Sequence, residues 1–243
     1  MPISRGKQLL AILQALPEPQ YGREDRIDYA ELDCGPEDAD LLKELLFSGL
    51  ETDRERDADA SPDDDFRIHA ARLLARHGGG AHLPTLVSWL RVAILRDDAL
   101  AQDDFPHLMT SIGPEALEPL GLRMLDEGES DPVRGWCADA LEWVAEANGL
   151  GDEAAPYFVE VLASPGSSRE LNAHAVSALT NLGAHDHIDP IRRVFQDNRV
   201  DVSMTGDLES VEVDLGIRSE RTTPPVHAQE LEEKLSRQAR REE

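Results

Sequence analysis

The stretch SALTNLGAHDHIDPI, residues 177–191, carries two histidines and two aspartates within five positions. Imidazole nitrogens and carboxylate oxygens are the donors that hold zinc and other transition metals. His185, His187 and Asp189 therefore make a candidate ligand set. Consecutive turn residues rarely converge on one ion without a further ligand, so the stretch is expected to be a turn and to hold no metal.

Other chemistry-bearing stretches fare no better. HGGG at 77–80 has the composition of an oxyanion-hole loop, but that chemistry needs a strand before it and a G-x-S-x-G elbow after it, and the sequence offers neither. SPGSS at 164–168 lacks the lysine and the glycine spacing of a phosphate loop. Cys34 and Cys137 are the only cysteines, too few for a disulfide framework or a zinc–thiolate site. Cys137 falls in an apolar stripe, and Cys34 sits in a turn with no neighbouring base to activate it. No catalytic residue and no cofactor are expected.

The elements that would position any site show a period. FRIHAARLLARHG (66–78), ALAQDDFPHLMTSIG (99–113), VRGWCADALEWVAEANG (133–149) and LNAHAVSALTNLG (171–183) end at Gly78, Gly113, Gly149 and Gly183, which are 35, 36 and 34 residues apart. Glycine just past the last periodic residue stops a helix, because it takes the left-handed conformation at little cost. Six or seven residues later come Pro84, Pro119, Pro156 and Pro190, each expected to open a further helix in its first turn. One unit is thus a proline-started helix, a turn, a helix ending in glycine, and another turn. Val133, Cys137, Ala140, Leu141 and Val144 form one helical stripe, and Leu171, Ala175, Ala178, Leu179 and Leu182 repeat its spacing. A period near 35 with two helices predicts an all-α solenoid of four to five helix pairs, elongated and of one domain. HDHID then fills the turn between two pairs.

DPVRGWCADALEWVAE resembles the second helix of HEAT repeats of the phycobilisome-lyase type, with Asp131, Val133, Arg134, Ala138 and Leu141 carrying the match and Phe66–Arg67 echoing it. The head (21–46) and tail (191–217) are similar to a family of uncharacterised bacterial HEAT-repeat proteins. The resemblance implies a super-helical, armadillo-like interaction scaffold without catalytic residues. No His-Glu dipeptide occurs, so the ligand pairs of metal-dependent hydroxylases built on HEAT repeats have no counterpart.

Composition narrows the partners. The net charge is -25, the wrong sign for a phosphate-binding surface, so neither nucleic acid nor an anionic membrane is an expected ligand. Acid serves solubility, and it also suits a basic protein partner. Leu9, Leu10, Ile12, Leu13 and Leu16 read as an amphipathic first helix and not as a signal peptide. A cytoplasmic monomer is expected. Residues 1–50 read as a helical cap, 51–65 as an acidic loop, 66–217 as repeats closed by a helix that Asp207 caps, and 218–243 as a charged, frayed tail.

Two surface features remain. Asp63, Asp64 and Asp65, then Asp97, Asp98, Asp103 and Asp104, then Asp126, Glu127, Glu129 and Asp131 cluster at the turns within units, an acidic edge in a stacked array. Ordinary helix capping explains one or two acids per turn. The second feature is a ladder. Three residues after Phe66, Ala101, Val133 and Leu171 stand His69, Asp104, Trp136 and His174, and seven further on stand Arg76, Ser111, Trp143 and Asn181. Either these line a groove with Trp136 and Trp143 at its centre, at least one of them exposed, or both tryptophans pack between repeats. A protein-binding scaffold is the expected function. The alternatives are an enzyme or enzyme subunit, such as a chromophore–protein lyase, and an acidic DNA mimic.

Overall fold

The computed structural model describes residues 4–19, 27–48 and 65–225. Among these the regular structure is helical, with no strand. The chain divides into two compact units, Met1–Pro119 and Leu120–Glu243. The division falls inside the stretch 66–217 that the sequence period treats as one array. Asp63, Asp64 and the tail beyond residue 225 lie outside the described residues.

The first unit holds α1 (Arg5–Gln14), α2 (Ala39–Phe47), α3 (Phe66–Gly78), α4 (Leu83–Leu95) and α5 (Ala99–Ile112). Helix α3 packs against α1, α2 and α5, and α4 packs against α5. Helix α6 (Leu117–Leu125) spans the division. The second unit continues with α7 (Asp131–Asn148), α8 (Gly151–Ala163), α9 (Arg169–Asn181), α10 (Ile188–Gln196), α11 (Val202–Thr205) and α12 (Leu208–Asp214). There α7 packs on both α8 and α9, and α8 on both α9 and α10.

Helix ends follow the glycine pattern with one shift. Gly113, Gly149 and Gly183 have φ of 84°, 67° and 66°, the left-handed region that glycine enters freely. The first stop is Gly79, at φ 51°, and not Gly78. Gly78 is needed for a different reason, since a Cβ there would lie 2.0 Å from the His82 ring. Prolines 84, 119 and 190 fall in the first turn of α4, α6 and α10 as expected. Pro156 does not, because α8 already begins at Gly151 and carries the proline in its interior. Asp207 caps α12 by accepting from the Ser210 N–H. The first three residues of HDHID, His185–His187, form a short 3₁₀ turn joining α9 to α10, and Ile188 and Asp189 already belong to the first turn of α10.

The apolar stripe of α7 is buried throughout, with Cys137, Ala140, Leu141 and Val144 fully enclosed and Val133 nearly so. In α9 the stripe holds for Leu171, Ala175, Ala178 and Leu179. Leu182, just past the helix end, is half-buried.

A polar device recurs beside this stripe. The last carbonyls of a helix have no partner within it. At the second aligned position of α3, α5 and α7, a side chain reaches back to such a carbonyl. Arg67 donates to Ser48 O just past α2, Gln102 to Ala93 O in the last turn of α4, and Arg134 to Met124 O in the last turn of α6. In α9 the same position is Asn172, which donates to Arg199 O, while Arg199 itself donates to Leu162 O and Ser164 O at the end of α8. Arg134 is only 4% exposed, so its bond to Met124 O at 2.8 Å is charge-assisted and shielded from water. Arg134→Ala is expected to cost about 2–3 kcal/mol in chemical denaturation. An unchanged midpoint would deny the bond a stabilising part.

Candidate docking face on α7 and α9

Along α7, Trp136, Asp139, Trp143 and Glu146 recur at three- and four-residue spacings, so they share one flank of the helix. Trp136 and Trp143 are two turns apart, about 10.5 Å along the axis. Along α9, Glu170, His174, Ser177 and Asn181 do the same. The two helices approach closely where Gly135 faces His174; a Cβ on Gly135 would lie 2.9 Å from His174 Nε2. Trp143 is 39% exposed, and Trp136 is half-buried. Trp143 thus keeps more of its surface exposed than Trp136.

Two polar pairs bridge the helices. His174 Nδ1 lies 2.6 Å from Asp139 Oδ1, and Asn181 Nδ2 donates to Glu142 Oε1 at 2.7 Å. Burial pulls the His174 imidazolium down, but the hydrogen bond and charge of Asp139, with Glu170 and Glu142 beyond, outweigh it and raise its pKa above the ordinary value. Glu142 moves the same way for another reason. Its burial raises its pKa, the Asn181 hydrogen bond opposes this, and the charges of Asp139 and Glu146 push it further up.

The ladder splits by rung. Its outer rung, Arg76, Ser111, Trp143 and Asn181, is exposed at all four positions. Its inner rung corrects the groove expectation for the first unit. His69 is fully buried, with Nδ1 2.7 Å from the Tyr29 hydroxyl and Nε2 3.2 Å from Pro17 O. The amino-terminal segment covers this position. Asp104 is 1% exposed and bound by Arg72 at 2.6 Å, so it belongs neither to an open groove nor to an acidic edge. In the second unit, Trp136 and His174 stay half-buried.

The acids at the turns have mixed duties. Asp97, Asp98, Asp103, Asp126 and Glu127 are exposed, and Asp65 and Asp131 are half-buried. Asp98 caps α5 through the Ala101 N–H, Asp126 accepts from the Gly128 N–H, and Asp131 bonds Arg134 at 3.3 Å. The Glu129 side chain is only 8% exposed and pairs with Arg123 at 2.8 Å. Capping and ion pairing thus account for much of this acid, and Glu129 joins Asp104 in leaving the expected edge.

Sequence reasoning missed Arg72, Asp139 and Glu142. The signal was present in the register. Arg72 and Asp139 each stand three residues beyond an inner rung, and each bonds the inner rung of the next second helix, Asp104 and His174 respectively.

His185 and His187 lie in their turn, with His185 Nδ1 2.9 Å from Gly183 O. Among the described residues, no three or more His, Cys, Asp or Glu side chains gather to hold a metal ion. Burial and the nearby Asp38 push the Cys34 thiol up to about 11, away from nucleophilic use. No family model matches the chain, and neither a curated protein nor a solved structure matches it.

Two outcomes follow from the raised pKa values. A raised His174 contributes stability that is complete below its ordinary 6.5 and fades as pH rises through the folded-state value. Asp139→Asn should therefore cost most below that pH and least in alkali, and a pH-independent cost in thermal melts would contradict the pair. A raised Glu142 means that the buried, ionised carboxylate opposes folding at neutral pH. Glu142→Gln should raise the neutral-pH melting temperature; a lowered one would show the charge to be compensated already.

Proposed function

We propose that this chain is a HEAT-like α-solenoid acting as a non-catalytic, cytoplasmic protein-interaction scaffold, with the α7–α9 face as its docking surface. The repeating sequence period and the packing within each unit support the solenoid. Successive second helices touch (α3 with α5, α7 with α9), and so do successive first helices (α8 with α10). No helix among the described residues is long and apolar enough to cross a membrane.

The observation that carries the functional reading is Trp143, a large indole left 39% exposed beside Trp136 on a helix whose opposite stripe is fully buried. Tryptophan is a favoured anchor at binding hot spots, and a polar rim around it is the usual anatomy of an interface. The Asp139–His174 pair supplies the orienting half of a hydrolytic triad. His174 bonds the carboxylate, and among the described residues no hydroxyl or thiol hydrogen-bonds to it.

The test is partner capture from native lysate, with tagged wild-type and Trp143→Ala chains compared. The wild type should retain a protein that the variant loses, and retention should weaken as salt rises. The substitution should cost less stability than the roughly 3–5 kcal/mol of a core aromatic truncation. Equal capture by both chains would remove the α7–α9 face from the function.

A further inference from the structure

Past α12 the chain turns back along its own helix. Gly216, at φ 70°, makes the turn, and the Ile217 and Arg218 N–H groups both donate to Glu212 O. From there to Thr223 side chains clasp the segment to the helix. Arg221 grips Asp207 with two donors, at 2.7 and 2.8 Å, and Arg218 donates to Glu209 at 3.2 Å. Glu209 takes four further donors. These are the Thr222 and Thr223 N–H groups, each at 2.9 Å, and both threonine hydroxyls. The hydroxyl bonds, Thr222's first, hold the Glu209 carboxyl down to about 2, so it is fully ionised at neutral pH. Both threonines are nevertheless exposed, and Pro224 follows Thr223 directly. Proline biases the residue before it toward extended backbone, the form in which a segment can be threaded through an enzyme's cleft.

We propose that Thr223 is a phosphorylation site and that phosphate there opens the clasp. The Thr223 hydroxyl oxygen attacks the γ-phosphorus of a nucleoside triphosphate held by a protein kinase. The bond to the β-phosphate oxygen breaks, the nucleoside diphosphate leaves, and the hydroxyl proton passes to the kinase's base. A donor to Glu209 thereby becomes an anion of about −1.5 to −2 charges set against an ionised carboxylate. The two cannot stay in contact. Arg218 and Arg221 already stand beside Glu209, at 3.2 and 3.9 Å. A phosphate offers their guanidinium groups three acceptor oxygens and more charge than a carboxylate does. Re-pairing draws Arg221 away from Asp207, so both ends of the clasp loosen together. Asp207 keeps the Ser210 N–H, so the cap of α12 survives the change. The site lies apart from the α7–α9 face and does not depend on the docking reading.

The full chain, incubated with a proline-directed serine/threonine kinase and magnesium ATP and mapped by mass spectrometry, tests the site. Phosphate should appear on Thr223, and it should appear faster in Glu209→Ala, where the hydroxyl is no longer held. Hydrogen exchange then tests the opening. In the phosphorylated chain the Thr222 and Thr223 amides should exchange about tenfold faster than in the unmodified chain, as they should in unmodified Glu209→Ala. Helical circular dichroism should stay the same, which separates an opened clasp from an unfolded unit. A chain that takes no phosphate on Thr223 would overturn the site. Phosphate on Thr223 with unchanged exchange of the two amides would overturn the opening.

Discussion

The bond from Arg134 to the Met124 carbonyl, and its counterparts at Arg67 and Gln102, is the constraint on which the helix pairs depend. A helix that ends against another helix leaves carbonyls facing a neighbour and not water, and each must be satisfied or paid for in stability. Placing a long donor at the second position of the following helix solves this and fixes the register of the pair at once. Fixing that register turns the stripe from Val133 to Val144 inward. The opposite flank, with Trp136, Asp139 and Trp143, is thereby set on the outside.

A second polar register links one second helix to the next. Arg72 holds Asp104 and Asp139 holds His174, the same pair of positions used with opposite charge order. In the first unit that bond is closed over, with Tyr29 and Pro17 seated on His69 beside it. The corresponding place in the second unit stays half open and carries tryptophan and acid. One scaffold position is thus sealed in one unit and only half-buried in the other. The imbalance is chemical as well as geometric, because Glu142 is buried without the guanidinium that Asp38, Asp104 and Glu212 each receive.

Much of the helical layout was legible in sequence, because glycine stops and first-turn prolines act locally. Gly113, Gly149 and Gly183 needed only their own backbone to announce a helix end. Pro156 misled because the residues before it, Gly151 to Ala155, extend the helix backwards without help from the proline. The inner rung misled for a longer-range reason. Whether His69 faces solvent depends on Tyr29, which is 40 residues away, and on Pro17, which is 52 away. No local pattern encodes that cover. Burial of Glu142 was hidden too, since a glutamate next to an exposed tryptophan reads as surface. Only its register against Asn181, 39 residues on, brings it inside.

The central claim is that Glu142 is buried between α7 and α9 with a neutral amide and not a guanidinium as its hydrogen-bond partner. Carbon-13 NMR of the Glu142 side-chain carboxyl, followed through a pH titration of the wild type and of Asn181→Leu, reads this directly. In the free chain the carboxyl should titrate above the usual glutamate range. In Asn181→Leu, which removes the hydrogen bond that opposes the shift, it should rise further. A carboxyl that titrates at its ordinary value in the wild type, or that Asn181→Leu leaves unmoved, would contradict it.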